Sequence, residues 1–189
     1  MSAQPTPRFT HDEFLDREAQ SPFRHEFRQG RIEMMAGGTM DHSLIANNCS
    51  ASLQRALAGR GCRIVGPDLL LRIEQADVST YPDLMVICDA PNFHGRRKII
   101  IDNPIVIVEV LSPSTESYDR GEKFDAYRQL PSLRDYVLVH QNEARIEVFS
   151  LESDGSWNQT EVSGLNARLT LESLAIEVPL ASIYDLVEF

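Results

Sequence analysis

Two carboxylates stand in neighbouring apolar runs of this chain, where their spacing could build a metal site. Asp83 lies in the run 81–88, where it opens the predicted strand, and Glu109 lies near the end of the run 105–111. Both runs are short, continuous and rich in β-branched residues, which is typical of strands buried on both faces. If a hairpin-like connection joins them, the strands run antiparallel and both carboxylates reach the same end of the sheet.

The surroundings of these carboxylates favour a bound cation. An ionised Glu109 among Ile and Val side chains is costly to bury unless a positive charge offsets it. Hard divalent cations are held by one or two carboxylates and keep several waters, so we expect Mg²⁺ or Mn²⁺ between Asp83 and Glu109. A structural interpretation stays open, in which Asp83 belongs to a Pro-Asp turn, as Asp68 does, and Glu109 is a satisfied polar residue.

The length, composition and net charge of the chain limit the number of domains and the class of protein it can be. The chain has 189 residues, enough for one domain with a sizeable core, so we predict a single domain over 1–189 with residues 1–8 disordered. Its 42% hydrophobic and 24% charged residues are ordinary for a globular protein. The net charge of -10 argues against a broad basic face for nucleic acid, although a local groove can be basic on an acidic body.

The cysteine pattern and the lengths of the apolar segments indicate in which cellular compartment the protein is expected. Cys49, Cys62 and Cys88 are scattered and form no C-x-x-C pair. This pattern predicts buried thiols in a reducing compartment rather than a disulfide or a zinc site. No apolar run approaches the length of a membrane span, and the start of the chain has no signal-peptide pattern. We therefore expect a cytoplasmic location and no membrane partner.

Capping, turn and periodicity signals predict the elements that position the two carboxylates. Thr10 and Glu13 form a capping box, and Asp41 is expected to cap a longer helix. The basic run 96–98 is expected to be a solvated loop. The expected elements, in chain order, are a helix over 11–19, a hairpin of 25–28 with 31–35, a helix from 41 to 57, strands over 62–65, 69–73, 81–88 and 105–111, a helix over 117–129, a hairpin of 135–140 with 144–151, a strand over 157–162, and short strands after 169 with a final helical turn at 183–187. The sum is an α+β fold, a mixed sheet flanked by a few helices.

This order, with the acidic pair on consecutive strands, is that of the PD-(D/E)xK nuclease superfamily. More closely, the chain resembles the Uma-type family of proposed endonucleases over residues 20–150. The matching pieces are the segments 26–34, 81–84, 108–115 and 135–139, together with His42, Asp119, Lys123 and Tyr127. The resemblance implies a restriction-endonuclease-like core and metal-dependent hydrolysis of phosphodiester bonds in DNA.

The resemblance also implies which residues do the chemistry. Asp83 and Glu109 would hold Mg²⁺ or Mn²⁺, with the backbone carbonyl of Val110 as a further ligand. The superfamily's lysine stands two residues after the Glu, where this chain has Leu111. That lysine orients or deprotonates the attacking water, or stabilises charge on the phosphate. Lys123 is the best candidate for a lysine that has moved to the next helix.

Other candidates depend on the resemblance more than on spacing. Asp119, Lys123 and Tyr127 follow an i, i+4, i+8 pattern and share one helix face, which the resemblance turns toward the site. A surface ion pair of Asp119 with Lys123 would explain the spacing as well. His42 is interpreted first as a residue at the start of a helix and alternatively as a metal-proximal or substrate-contacting group. Glu26 is a supporting candidate on a strand.

Two functions from different classes follow. The leading interpretation is a Mg²⁺- or Mn²⁺-dependent endonuclease that acts on DNA. The alternative is a catalytically silent nuclease fold kept as a binding or regulatory module, which Leu111 and the acidic composition both support. The sequence is compatible with a homodimer and does not decide the oligomeric state.

Overall fold

The computed structural model describes residues 8–94 and 98–189. Most of the segment expected to be disordered, residues 1–7, lies outside these ranges. So do Gly95, Arg96 and Arg97, and therefore most of the basic loop.

Helix caps confirm one sequence prediction and correct another. The first two helices are α1 (His11–Glu18) and α2 (Met40–Ala56). The capping box of Thr10 and Glu13 at the start of α1 is present, as predicted. The N-cap of α2 is Thr39, whose hydroxyl accepts a hydrogen bond from the backbone N–H of His42, so the prediction of Asp41 as the cap was wrong. Asp41 lies in the first turn, where a negative charge favours the helix dipole.

The strands form a mixed central sheet and two further sheets among the described residues. In chain order they are β1 (His25–Arg28), β2 (Arg31–Met34), β3 (Arg63–Val65), β4 (Leu70–Ile73), β5 (Val78–Thr80), β6 (Leu84–Ile87), β7 (Ile100–Ile101), β8 (Val106–Val110), β9 (Asp135–Val139), β10 (Arg145–Leu151), β11 (Trp157–Ser163), β12 (Arg168–Leu171) and β13 (Ile176–Pro179). The central sheet has the order β11-β10-β9-β8-β6-β3, with β8 parallel to β9 and the other pairs antiparallel. The second sheet has the order β2-β1-β5-β4-β7, and β12 pairs with β13. The predicted α+β architecture with a mixed sheet flanked by helices is confirmed.

Both faces of the central sheet are covered, which explains its continuous apolar strands. One face packs against α2, the hairpin of β12 with β13, and the short helix α5 (Leu180–Ile183). The other face packs against β4, β5 and the helical segment 116–127. A third cluster, around Phe14 and Phe27, joins α1 to the second sheet.

The helical segment 116–127, called the site helix below, is not a regular α-helix. It consists of α3 (Glu116–Tyr118), a π-helical turn (Asp119–Lys123) and α4 (Phe124–Tyr127). The helix predicted over 117–129 is therefore present, although it ends at Tyr127 and contains a wide turn. Such turns occur often at functional sites.

Three further differences concern short or covalent features. The strands β5 and β7 were not predicted, and the last helix lies at Leu180–Ile183 rather than at 183–187. Cys62, directly before β3, and Cys88, directly after β6, form a disulfide, while Cys49 is a buried free thiol. The prediction of three thiols was wrong because antiparallel pairing brings two cysteines that are distant in sequence side by side. Within the described residues, no helix is both long and apolar enough to cross a membrane.

Candidate functional site

Asp83 and Glu109 meet at one end of the central sheet. The antiparallel register pairs Leu84 with Val108, so Asp83, one residue before β6, comes opposite Glu109 on β8. The backbone N–H of Val110 donates to Oδ2 of Asp83 at 2.8 Å, and the backbone N of Asp83 lies 3.4 Å from Oε2 of Glu109. The predicted antiparallel pairing, with both carboxylates at the same end, is confirmed.

Glu109 is a buried carboxylate with two strong donors. Its Oε1 accepts a 2.6 Å hydrogen bond from the Tyr127 hydroxyl and lies 2.8 Å from Nζ of Lys123. Only 4% of the residue is exposed. Burial raises the pKa of Glu109 to about 8; the positive charge of Lys123 opposes this rise, and the carboxylates of Asp83 and Asp119 add to it. The position therefore favours any additional cation that can approach.

Lys123 supplies the positive charge that strand β8 lacks. Besides its contact with Glu109, its Nζ lies 3.3 Å from Asp119 and 3.7 Å from Glu26. Burial lowers its pKa, but the surrounding carboxylates more than compensate, and the pKa of Lys123 lies well above its ordinary value. The ammonium is therefore charged at any physiological pH. Leu111, at the usual lysine position, packs into the apolar cluster between the two sheets.

His42 reaches the site from the first turn of α2. Its Nε2 lies 3.1 Å from Oδ2 of Asp83, so it does more than begin a helix. The contact with Asp83 raises the pKa of His42, against the effect of burial. Gly38 makes room for the imidazole, because a Cβ at that position would stand 3.0 Å from Nδ1 of His42.

Glu26 approaches from the second sheet. It is buried on β1 and accepts a hydrogen bond from the hydroxyl of Thr80 on β5. The register of β1 with β5, in which Phe27 faces Ser79, places these two side chains opposite each other. The link from Tyr81 to Asp83 then carries the chain from the second sheet to the central sheet, so the site lies where the two sheets meet.

These side chains line a cavity of about 690 Å³. Its acidic lining residues are Glu26, Glu33, Asp83, Glu109, Asp119 and Glu122, and its basic ones are Arg28, His42 and Lys123. Sequence reasoning missed Arg28 and Tyr118. The alternation of side chains along β1 offered a signal for Arg28, since it lies two residues after Glu26 and so on the same face.

The donors suit a hard cation with few protein ligands. Asp83, Glu109 and Val110 all line the cavity, and two carboxylates leave most coordination positions to water, which is how Mg²⁺ is commonly bound. Among residues 8–94 and 98–189, no group of three or more His, Cys, Asp or Glu side chains is placed to hold a metal ion. A site of this kind would therefore depend on Asp83 and Glu109 and not on a closed cage.

Most of the chain is similar in sequence to known proteins. Residues 11–181 match the model of the Uma2 family, described as "Putative restriction endonuclease". Two uncharacterized proteins of Synechocystis sp. are similar: slr1290 is 35% identical over 180 residues, which are 95% of this chain and 93% of that protein. For sll1609 the identity is 35% over 164 residues, or 87% of this chain and 93% of that protein.

A solved structure shares the fold. The crystal structure of "a putative nuclease belonging to DUF820" from Anabaena variabilis superposes with a TM-score of 0.77 over 95% of this chain and 99% of that one, at 18% identity. The restriction-endonuclease-like core expected from the sequence is thereby confirmed. The roles of the individual site residues remain predictions.

Proposed function

Since this chain belongs to the Uma2 family of restriction-endonuclease-like proteins, we propose that it is a metal-dependent endonuclease that hydrolyses phosphodiester bonds in DNA. The observation that carries the proposal is the meeting of Asp83, Glu109 and Lys123 in one cavity, with Nζ of Lys123 2.8 Å from Glu109. A lysine beside paired carboxylates is what this chemistry requires, and here it arrives from a helix rather than from the strand.

Each side chain has a task in the proposed reaction. Asp83, Glu109 and the carbonyl of Val110 would hold Mg²⁺ or Mn²⁺, which polarises the scissile phosphate and lowers the pKa of a bound water. Tyr127 fixes the Glu109 carboxylate through its hydroxyl. Lys123 stabilises the negative charge that develops on the phosphate. His42 holds the Asp83 carboxylate in place.

A catalytically silent binding module is the second candidate. The observation that favours it is the enclosure of Lys123, which is only 6% exposed and is surrounded by carboxylates. An ammonium held so tightly could serve stability alone. The two candidates differ in whether the bound metal supports cleavage.

Cleavage assays separate them. The wild type, Asp83→Ala and Asp68→Ala are incubated with mixed linear, circular and single-stranded DNA in EDTA, in Mg²⁺ and in Mn²⁺. Asp68 is a matched control, because it also follows a proline and its side chain is 85% exposed. We expect metal-dependent cleavage by the wild type and Asp68→Ala and none by Asp83→Ala. Metal binding in calorimetry without cleavage by any form would favour the binding module.

A further inference from the structure

Arg28 is a cation at the rim of the site cavity that the reaction described above does not use. It lies on β1, two residues after Glu26, and lines both the site cavity and a neighbouring groove of about 650 Å³. It therefore stands on the ridge between the two depressions. A strand of nucleic acid whose scissile phosphate lies at Glu109 has to leave the cavity across its rim.

The charges of the cavity make an accessible cation necessary. Six acidic side chains line it, and a DNA backbone would be repelled by them. Lys123 is enclosed by Glu26, Glu109 and Asp119, so its charge is already balanced. Among the described lining residues, Arg28 is then the only other lysine or arginine.

Arg28 is held in place by Tyr118 and Glu33, and its contact with Glu122 is weaker. Its guanidinium lies 4.3 Å from the centre of the Tyr118 ring, which orients it by stacking. Its ion-pair partners are Glu33 and Glu122, whose side chains are 46% and 81% exposed. The pair with Glu122 joins Nη1 of Arg28 to a carboxylate that is largely in solvent, at 3.2 Å, so it contributes little to stability and a phosphate can replace Glu122 there.

One donor of Arg28 has no partner. Its Nε is buried and makes no hydrogen bond to any described residue. A guanidinium binds phosphate oxygens through parallel N–H groups, and such charge-assisted pairs are stronger than contacts with solvated carboxylates. A phosphate that displaces Glu122 would bind Nη1 of Arg28, and one that also displaces Glu33 from Nη2 would have Nη1 and Nη2 as a bidentate pair.

We propose that Arg28 binds a non-scissile phosphate of the DNA strand and so positions the scissile bond at Asp83 and Glu109. The proposal rests on the proposed function, because it takes the same cavity as the place of cleavage. The alternative is a purely structural role, in which Arg28 links the β1–β2 hairpin to the site helix through its ion pairs with Glu33 and Glu122. The two interpretations differ in what happens to DNA affinity and to its dependence on salt.

Binding measurements over a range of KCl concentrations test the proposal. Fluorescence anisotropy of a labelled DNA duplex is recorded in EDTA, and again in Ca²⁺ with a check that the probe stays intact, for the wild type, Arg28→Gln and Arg168→Gln. Arg168 is the control, because it is an exposed arginine paired with Glu177 and lines neither depression. We expect Arg28→Gln to bind about 10-fold more weakly and to reduce the slope of log K against log salt by about 1. Arg168→Gln should stay within about 2-fold.

A second variant changes affinity in the opposite direction. Glu122→Gln removes the exposed competitor of the phosphate, and we expect it to bind the duplex a few-fold more tightly. This gain should shrink in the double variant with Arg28→Gln, because the group that Glu122 occupies is then absent. Equal gains in both backgrounds would indicate simple loss of repulsion and count against the proposal.

The outcomes are distinguishable from failure of the proposed function. If the wild type cleaves DNA while Arg28→Gln keeps its affinity and salt slope, the phosphate role is wrong and the nuclease assignment stands. A lower melting temperature with unchanged affinity would identify Arg28 as a brace and also overturn the proposal. If the wild type neither binds nor cleaves any DNA, the proposed function fails and the role of Arg28 falls with it.

Discussion

Lys123 is an unusual residue in this chain. Only two of the 18 basic residues are lysines, and the other, Lys98, is exposed. Arginine serves nearly every other need for positive charge here, yet the buried position beside Glu109 has the compact ammonium. The ammonium is a compact point charge with three donors, and here it contacts the carboxylates of Glu26, Glu109 and Asp119. This choice supports a specific task at position 123.

Removal of this charge should affect cleavage far more than binding. We predict that Lys123→Ala lowers the cleavage rate by about 10²-fold or more, because a contact made mainly in the transition state is lost. DNA affinity should change only a few-fold. Lys123→Arg should not restore the rate, since the larger fork does not fit the same space. Single-turnover cleavage and anisotropy measure the two quantities.

Lys98→Ala is the control for that prediction. It removes the only other lysine and should behave as the wild type. If Lys123→Ala cleaves DNA at the wild-type rate, Lys123 does not replace the superfamily's lysine, and His42 becomes the next candidate for that role. Placing a lysine at 111 in Lys123→Ala would test whether the usual strand position can still serve, although Leu111 now contributes to the core.

Two carboxylates set the pH dependence of stability in opposite directions. Burial raises the pKa of Glu109 to about 8 from an ordinary 4.5, so its contribution to folding is present below pH 4.5 and is lost as pH rises toward 8. His42, with its raised pKa, acts in the same sense. The hydrogen bond from Arg120 lowers the pKa of Glu147 to about 2, so that contribution is present above pH 4.5 and is lost as pH falls toward 2.

We therefore predict that the metal-free protein is most stable near a pH of about 5. Thermal unfolding in EDTA across the pH range measures this. Glu109→Gln should flatten the decline on the alkaline side, and Glu147→Gln the decline on the acid side, whatever each does to the overall melting temperature. A curve for Glu109→Gln parallel to that of the wild type would show that Glu109 titrates normally in the folded state.

The site helix shows how an element fixes the relation between side chains. Asp119 and Lys123 bound a π-helical turn, and Tyr127 ends the α-helical turn that follows. A π turn holds one residue more than an α turn, so it offsets everything downstream by about 100° relative to a regular helix. Lys123, at the end of the wide turn, and Tyr127, one turn later, both reach Oε1 of Glu109.

Deletion of Gly121 should undo the offset. We predict that the deletion restores a regular helix, turns Lys123 away from Glu109 and lowers cleavage by about 10²-fold, with little loss of helical signal in circular dichroism. Gly121→Ala keeps the register, and no atom lies within 4 Å of the added Cβ. It should cleave as the wild type does and be more stable by up to about 1 kcal/mol. Equal activity of the deletion and the alanine variant would show that the wide turn is irrelevant.

Elements were predictable from sequence where one physical signal dominated. The apolar runs placed β6 and β8, and the capping box placed α1. Strand β5 was missed because two of its three residues are Ser79 and Thr80, which are fully buried but polar. Their hydroxyls are satisfied by His11 and Glu26, which are partners no local pattern reveals. The π turn likewise has no local signature.

Residue roles were predictable only in part, for a related reason. The spacing of Asp119, Lys123 and Tyr127 could not tell a solvated face from a buried one. What decides it is the packing of the site helix against the central sheet, which is a long-range property. His42 was ambiguous because its partner, Asp83, lies on a different element.

At the scale of the whole molecule, the disulfide conflicts with the expected cytoplasmic location. Cys62 directly precedes β3 and Cys88 directly follows β6, and a bond between them closes a loop of 26 residues. A crosslink of this loop length stabilises a fold by roughly 3 kcal/mol in the chain-entropy view. Reducing compartments keep such pairs as thiols, so the state of this pair reports on where the protein resides.

We predict that alkylation of cells at lysis, followed by denaturation without reductant, modifies Cys49 alone. Mass spectrometry should then show three modified cysteines only after reduction, and the melting temperature should fall in reductant. Cys88→Ser, which cannot form the bond, serves as the control and should be insensitive to reductant. Three modified cysteines before reduction would support the thiols and reducing compartment that the sequence suggested.

The site draws on Glu26, His42, Asp83, Glu109 and Lys123, which come from separate segments along the chain. Contacts between such distant segments form late, because loop closure has to precede them. During synthesis on a ribosome, the carboxylates emerge before the lysine that balances them, and the cavity is complete only once the chain has grown past Tyr127. On the proposed function, a nascent chain shorter than this therefore cannot cleave DNA.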